Sequence, residues 1–192
     1  MLRSLYNWTM SLAQSRYAIW ALGVIAFVES SVFPIPPDVL MIPMIIARPS
    51  KAWLIAGVAL VGSVLGALLG YYIGSGLFES VGRPVLEFYG KEHYFAEFST
   101  KYNEWGAWAV LIAGITPFPF KVITILSGST GLSLPIFIVA AIIARAIRFF
   151  VVAALLRVYG EPIRDFIERR LGLVFIVFVV LLVGGFYFVK VL

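Results

Sequence analysis

Five ionisable residues stand within otherwise apolar stretches of the sequence: Glu29, Asp38, Lys121, Arg145 and Arg148. A charge at the centre of a bilayer costs about 2.5–3.5 kcal/mol on insertion scales, so such residues pair with each other or mark a path for substrates and ions. Two acids against three bases leave one cation over, and a surplus cation near helix ends suits an anionic ligand such as a phosphate. We therefore predict that the five form a substrate- and proton-binding site. The alternative is that they pair only to hold a helix bundle together.

Two proline-rich breaks accompany these charges, one between Glu29 and Asp38 and the other between Gly114 and Lys121. Each contains Pro-x-Pro followed two residues later by a charge, and corresponding residues of the two breaks are 83 positions apart. Proline lacks a backbone N–H and restricts the residue before it, so neither stretch can be an unbroken helix. The prolines that we expect to form the breaks are Pro34, Pro36, Pro37, Pro117 and Pro119.

Paired breaks in corresponding halves of an apolar chain point to a transporter site. Irregular backbone persists inside a membrane only where it is buried in protein or lines a water-filled cavity. We therefore predict two re-entrant hairpins that face each other and form one site. The alternative is a pair of proline-rich turns on the membrane surface.

The composition is that of an integral membrane protein, since 61% of the 192 residues are hydrophobic and 13% are charged, against about 45–50% and about 25% in soluble domains. The absence of cysteine excludes disulfides and thiolate metal sites, and the single histidine, His93, argues against a metal site. The net charge of +5 is scattered along the chain, which fits an anionic membrane surface better than nucleic acid. We expect no cofactor. Metalloprotease and serine-hydrolase motifs are absent, so an enzyme is not predicted.

The apolar runs predict an all-α polytopic membrane protein with a single membrane domain over residues 1–192. Residues 17–78 form a first repeat, in which a broken, re-entrant helix over 17–47 precedes a spanning helix over 52–78. A glycine recurs at every fourth position of that spanning helix, which lets another helix backbone approach closely. We assign this stripe to helix packing, and its members are Gly62, Gly66, Gly70 and Gly74.

Residues 79–104 are predicted as an amphipathic connector on the membrane surface. Its aromatic face comprises Phe88, Phe95, Phe98, Tyr102 and Trp105. Residues 105–157 form a second repeat with its own break and spanning helix, and residues 171–190 add a further C-terminal transmembrane helix, giving about three spanning helices. An odd number of crossings in each repeat inverts the second repeat relative to the first.

The orientation is predicted from the bias of lysine and arginine. With two re-entrant hairpins, eight of these cations fall on the side of the N-terminus and four on the other side. The N-terminus is therefore predicted to be cytoplasmic. No cleavable signal peptide is evident in the first residues.

The quoted residues resemble those of the DedA superfamily, also known as the VTT or SNARE-associated-Golgi domain. The resemblance covers roughly residues 20–160. It rests on Glu29 with the run Phe33-Pro34-Ile35-Pro36-Pro37-Asp38, on the glycine-rich helix that follows, and on Gly114 through Gly128 with Thr116-Pro117-Phe118-Pro119-Phe120-Lys121. The second run is most similar to the YqaA-like branch.

The resemblance implies a multi-pass protein of the bacterial inner membrane, with facing re-entrant hairpins and lipid-carrier translocation that depends on the proton motive force. The family's known substrate is undecaprenyl phosphate, and eukaryotic relatives scramble phospholipids. The family's acidic residues correspond to Glu29 and Asp38. Of the two arginines in the family's second hairpin, one corresponds to the basic residue Lys121. The other would fall near Ile115 or Thr116 and is absent; Arg145 or Arg148 could supply that charge.

The leading hypothesis is a flippase for a lipid or lipid phosphate, coupled to protons. Lys121 and Arg145 would hold the headgroup, and Glu29 and Asp38 would couple to protons. The alternative is a secondary transporter that moves a small anion or another solute through the same hairpins. A scaffold that assembles as a homo-oligomer through the glycine stripe is a further possibility.

Overall fold

The computed structural model of the protein describes residues 15, 17–33, 36–116 and 118–169, with the backbone alone at residue 161 and over 163–169. In that part of the chain every regular element is helical, which confirms the all-α class. The predicted transmembrane helix over 171–190 lies outside the described residues, as do Pro34 and Pro117.

The first unit is a pair of short antiparallel helices followed by one long helix. Helix α1 covers Ala18–Ser31, α2 covers Asp38–Ala47, a 3-10 turn covers Pro49–Lys51 and α3 covers Ala52–Leu77. Pro37 directly precedes α2, where a residue without an N–H leaves no helical hydrogen bond unmade. Ala18 at the start of α1 and Met44 near the end of α2 share one buried cluster, so α2 returns alongside α1.

The second unit repeats this order. It is entered through a π-helical turn over Phe78–Gly82 and helix α4 over Arg83–Phe88, and it comprises α5 over Glu92–Ile115, α6 over Phe120–Ser129 and α7 over Leu134–Arg169. The side-chain amide of Asn103 in α5 donates to the carbonyl of Thr130 at 2.8 Å. The end of α6 therefore lies beside the middle of α5, and these two helices are antiparallel as well.

Within the described ranges, two helical stretches are long and apolar enough to cross a membrane. They are Pro49–Phe88 and Leu134–Gly160, with mean hydropathies of 2.2 and 2.4. The guanidinium of Arg157, late in α7, lies 5.5 Å from the ring of Trp53, early in α3. The two long helices therefore run in opposite directions. The starts of α2 and α6, and those of α3 and α7, are each 82 residues apart, within one residue of the spacing of the two breaks.

The polar region after α3 differs from the prediction of one amphipathic helix over 79–104. The chain leaves α4 through Gly90, whose φ of +62° is left-handed and readily adopted only by glycine. Phe88 is thus in a different helix from the other predicted face residues. Helix α5 then continues through residue 105, the predicted start of the second repeat, to Ile115. The polar part of the chain gives way to its apolar part at a single glycine, Gly106, with no proline beside it, and an isolated glycine is tolerated within a helix.

Helix α1 packs against the first half of the glycine stripe of α3. A methyl group on Gly62 would collide with the carbonyl oxygen of Gly23, and one on Gly66 would collide with that of Phe27. Backbone-to-backbone contact of this kind needs residues without side chains. Helix α1 therefore lies directly against α3.

Helix α6 packs against the second half of the glycine stripe. A methyl group on Gly74 would collide with the carbonyl oxygen of Ile125, and one on Gly70 with the side chain of Thr124. The contact is reciprocal, because a methyl group on Gly128 of α6 would collide with the carbonyl of Tyr71. Helices α1 and α6 thus follow each other along one side of α3.

Candidate functional site

The end of α1 and the start of α6 meet beside the middle of α3. The Nζ of Lys121 donates to the carbonyl of Val32 at 3.0 Å, and the backbone N–H of Phe120 donates to Oε1 of Glu29 at 3.4 Å. An ammonium at the C-terminal end of one helix and a carboxylate at the N-terminal end of another both match the helix dipoles. The two breaks therefore lie next to each other.

Glu29 and Arg145 form a buried ion pair at this junction. Nη2 of Arg145 lies 2.7 Å from Oε2 of Glu29, and the two side chains are 1% and 10% exposed, respectively. Removing one partner of such a pair leaves an uncompensated buried charge, at a cost of about 3–5 kcal/mol. The pair joins the first unit to the second, since Glu29 is in α1 and Arg145 is in α7.

Two serines close a ring of hydrogen bonds around this pair. Nε of Arg145 donates to Oγ of Ser63 in α3 at 2.7 Å, and Oγ of Ser30 donates to Oε2 of Glu29 at 3.1 Å. The two serine hydroxyls are 2.7 Å apart, and because the Ser30 proton points to Glu29, Ser63 donates to Ser30. The ring holds the guanidinium in one orientation.

Two phenyl rings enclose the same guanidinium. Cζ of Arg145 is 4.8 Å from the ring centroid of Phe120 and 4.7 Å from that of Phe149, within the range of a cation–π interaction. Its Nη1 is buried and has no hydrogen-bond partner among the described residues. An unpaired buried donor is costly, so Nη1 is a candidate contact for an anion.

Arg148, one turn further along α7, contacts both breaks. Nη2 lies 2.7 Å from Oδ2 of Asp38 in the first turn of α2, and these side chains are 16% and 21% exposed. Nη1 donates to the carbonyl of Thr116, at the end of α5, at 2.6 Å. One side chain therefore fixes the start of α2 relative to the end of α5.

Of the three cations at the junction, Lys121 is the one that belongs to neither of the two ion pairs. In the described part of the chain it has no carboxylate partner, and its side chain is only partly buried. The structure thus brings all five predicted site residues to one junction and pairs four of them. Pairing and ligand binding are compatible in this arrangement, because Lys121 and Nη1 of Arg145 are both available.

The sequence analysis missed the uncharged members of the site. Ser63 in α3 and Thr124 in α6 are hydroxyl residues flanked on both sides by apolar residues, and Oγ1 of Thr124 donates to the carbonyl of Ser30 at 2.9 Å. A buried hydroxyl facing a charge cannot be told from a small packing residue by spacing alone. Phe149 sits four residues after Arg145, and that helical spacing was the signal available for the cation–π contact.

No group of three or more histidine, aspartate or glutamate side chains that could hold a metal ion occurs in the described ranges. Both carboxylates at the junction are already paired with arginines. The carboxylates and cations of the junction can therefore pair with each other, exchange protons and bind anions.

Comparison with known proteins gives a family match and two relatives. The VTT domain family matches residues 35–158. An uncharacterized protein of Haemophilus influenzae is 30% identical over 187 residues, which are 97% of each chain. An uncharacterized protein of Histophilus somni is 33% identical over 152 residues, 79% of each chain. No solved structure matches the chain.

Proposed function

Because the chain belongs to the VTT domain family of DedA-type membrane proteins, we propose that it is a flippase for an anionic lipid or lipid phosphate, coupled to protons. Family membership supports a transporter-like membrane protein. The charges at the junction between the two breaks support the substrate class and the coupling. Undecaprenyl phosphate and anionic phospholipids are the substrates that the family resemblance suggests.

The proposal places both antiparallel helix pairs inside the membrane as re-entrant hairpins, although α5 in the second pair is a long helix of 24 residues. Helices α1 and α2 have 14 and 10 residues, or about 21 and 15 Å of helix, whereas a hydrocarbon core is about 30 Å thick. Ser63, which contacts the junction, is near the middle of the 26-residue α3. These lengths support hairpin tips that meet near mid-membrane, where alternating-access transporters bind their substrates.

The observation that carries the proposal is the excess positive charge at the junction. The carboxylates of Glu29 and Asp38 are each matched by an arginine, while Lys121 has no acidic partner in the described part and Nη1 of Arg145 has no acceptor. Lys121 follows Phe120 at the start of α6, and Arg145 stacks on the ring of Phe120, so both cations belong to the same junction. A phosphate headgroup would satisfy both.

Proton coupling follows from competition for Arg145. A headgroup oxygen bound to Nη1 brings a second anion to the guanidinium that Glu29 already pairs with through Nη2, and two anions at one buried cation disfavour the charged form of Glu29. Glu29 then takes up a proton and becomes neutral. When the headgroup leaves, Glu29 releases the proton and pairs with Arg145 again, so that headgroup and proton bind together and leave together.

The test is lipid flipping in proteoliposomes, with and without a pH gradient. The variant Lys121→Met removes the surplus cation, and Lys101→Met is a matched control, because Lys101 is exposed and paired with Glu97 at the protein surface. We expect Lys121→Met to lose flipping of a labelled lipid phosphate, while the control retains it. Wild-type rates for Lys121→Met would overturn the proposal. Inhibition of flipping by millimolar inorganic phosphate, together with uptake of that phosphate, would favour the small-anion alternative.

Localisation in the bacterial inner membrane, with the N-terminus in the cytoplasm, is part of the proposal. The chain contains no cysteine, so single cysteines report accessibility without background. A cysteine at Ser50, in the 3-10 turn before α3, should react with a membrane-impermeant thiol reagent only after the cells are opened. A cysteine at Glu87, an exposed position in α4, should react in intact cells whose outer membrane has been made permeable.

A further inference from the structure

An apolar groove runs along the outer side of the first unit, between α1 and α3. It has a volume of about 630 Å³. Trp20, Val24 and Phe27 line it from α1, and Trp53, Val61 and Leu65 line it from α3. Its lining is almost wholly apolar, and the ion pairs of the junction lie elsewhere.

The floor of the groove is made of glycine. Gly23, Gly57 and Gly62 all contribute to it, and a methyl group added to Gly57 would meet no atom within 4 Å. Small residues with free space above them are the positions at which a further helix can approach a membrane helix closely. The surface is therefore shaped for a helix rather than merely apolar.

The groove opens beside the part of α7 that precedes its kink at Tyr159. Trp53, at the mouth of the groove, stacks on Phe150 with ring centroids 5.9 Å apart, and Arg157 covers the same indole. Residues 171–189, the C-terminal apolar segment, follow α7 with Arg170 in between and contain no charged residue themselves. Nineteen residues of helix span about 28 Å, which exceeds the length of the groove from Trp53 to Leu65.

We infer that the C-terminal apolar segment of the same chain occupies this groove as a helix parallel to α3. The segment emerges on the side of the molecule where the groove begins, so it must cross the membrane toward the groove's far end. Because the segment belongs to the same chain and follows α7 directly, its effective concentration at the groove is high, which favours it over free lipid or a second copy. Residues 1–14 are the weaker candidate, because Arg3 and several polar residues interrupt them.

Cysteine cross-linking in the full chain tests the assignment. One cysteine replaces Val61, which lines the groove and is 59% exposed. The second is placed in turn at positions 5–12 and 176–183. The matched control is Val151→Cys, which lies on α7, is 50% exposed and is absent from the groove lining. Mixing isotopically labelled and unlabelled protein before reconstitution separates links within one chain from links between copies by mass spectrometry.

We expect links within one chain from Val61→Cys to a subset of positions 176–183 with helical spacing, and at most background links from Val151→Cys. Links between differently labelled copies would assign the groove to a second copy, and links to positions 5–12 would assign it to the N-terminus. Links no stronger than those of Val151→Cys would leave the groove to lipid. Each of these three results would overturn the inference.

A substitution that fills the groove with a larger side chain gives an independent check of the inference. Gly57→Leu places a side chain where the helix would lie, whereas Gly76→Leu makes the same change in α3 at another position with nothing within 4 Å. We expect Gly57→Leu to reduce the yield of the Val61 link at least about fivefold, as an overpacking cost of ordinary size implies, and Gly76→Leu to leave it unchanged. Equal yields in both variants would contradict the inference.

Discussion

The two units of the molecule share a layout and divide the charges between them. Each has a pair of antiparallel helices, a break and a long apolar helix running in opposite directions in the two units. Both acids of the junction, Glu29 and Asp38, belong to the first unit, and all three cations, Lys121, Arg145 and Arg148, belong to the second. Every ion pair at the junction therefore joins one unit to the other.

The long helices show the division most clearly. With a shift of 82 or 83 residues, the part of α7 that carries Arg145 and Arg148 corresponds to the part of α3 between Gly62 and Gly66. In α3 this part brings another backbone into contact, whereas in α7 it supplies the two guanidiniums. Corresponding positions thus provide close packing in the first unit and charge in the second unit. Substitutions at these positions separate the two uses by their effect on stability.

The largest loss of stability is expected from Glu29→Gln. This change leaves the charge of Arg145 buried without its partner, at a cost of about 3–5 kcal/mol. The measurement is the free energy of unfolding in detergent by denaturant titration, with the exposed Glu97→Gln as control. The double variant Glu29→Gln/Arg145→Met should recover part of the loss. Equal stability of the Glu29→Gln and Glu97→Gln variants would show that the buried pair does not hold the units together.

Asp38→Asn should cost less than Glu29→Gln. The pair with Arg148 is more exposed than the Glu29–Arg145 pair, and Arg148 keeps its bond to the Thr116 carbonyl. A charged hydrogen bond of this kind contributes about 1.5–3 kcal/mol, and partial exposure places the loss near the lower figure. The same titration measures it, and a loss as large as that of Glu29→Gln would reverse the proposed ranking of the two pairs.

Gly66→Ala tests the use of α3 for close packing. Its methyl group collides with the Phe27 carbonyl, and overpacking costs about 1–3 kcal/mol. Gly76→Ala is the matched control on the same helix, with no atom near the added methyl group and a position outside the groove lining, and it should be neutral or slightly stabilising because alanine favours helix over glycine. If both variants have the same melting temperature, α1 does not lie against α3 as described.

The smallest effect on stability is expected from Lys121→Met. It removes one partly exposed hydrogen bond to the Val32 carbonyl, worth about 0.5–1 kcal/mol, and no ion pair among the described residues. Combined with the expected loss of flipping, a near-native unfolding free energy would separate binding from structure. A loss comparable to that of Asp38→Asn would make Lys121 a structural cation instead.

The sequence predicted the coarse fold well because its signals are local. The prolines end α1 at Ser31 and α5 at Ile115, and long apolar runs predict α3 and α7. The resemblance to the DedA superfamily is confirmed by the family match. The continuation of α5 through residue 105 was missed, because a change from polar to apolar composition suggests a boundary where the backbone has no reason to break.

The site could be predicted only as a set of charges. The cost of burying them identifies the five residues, but the choice of Arg145 for Glu29 and Arg148 for Asp38 depends on which faces of α1, α2 and α7 meet. The same holds for Ser63, whose role appears only when α3 lies between α1 and α7. Pairing partners more than a hundred residues apart leave no trace in local spacing.

Gly70 is the glycine of the stripe in α3 that faces both α1 and α6. A methyl group there would lie 3.0 Å from the carbonyl oxygen of Ser30 in α1 and would also collide with Thr124 in α6. A side chain at this position would push α1 and α6 apart, so the absence of one at Gly70 sets the spacing between these two helices.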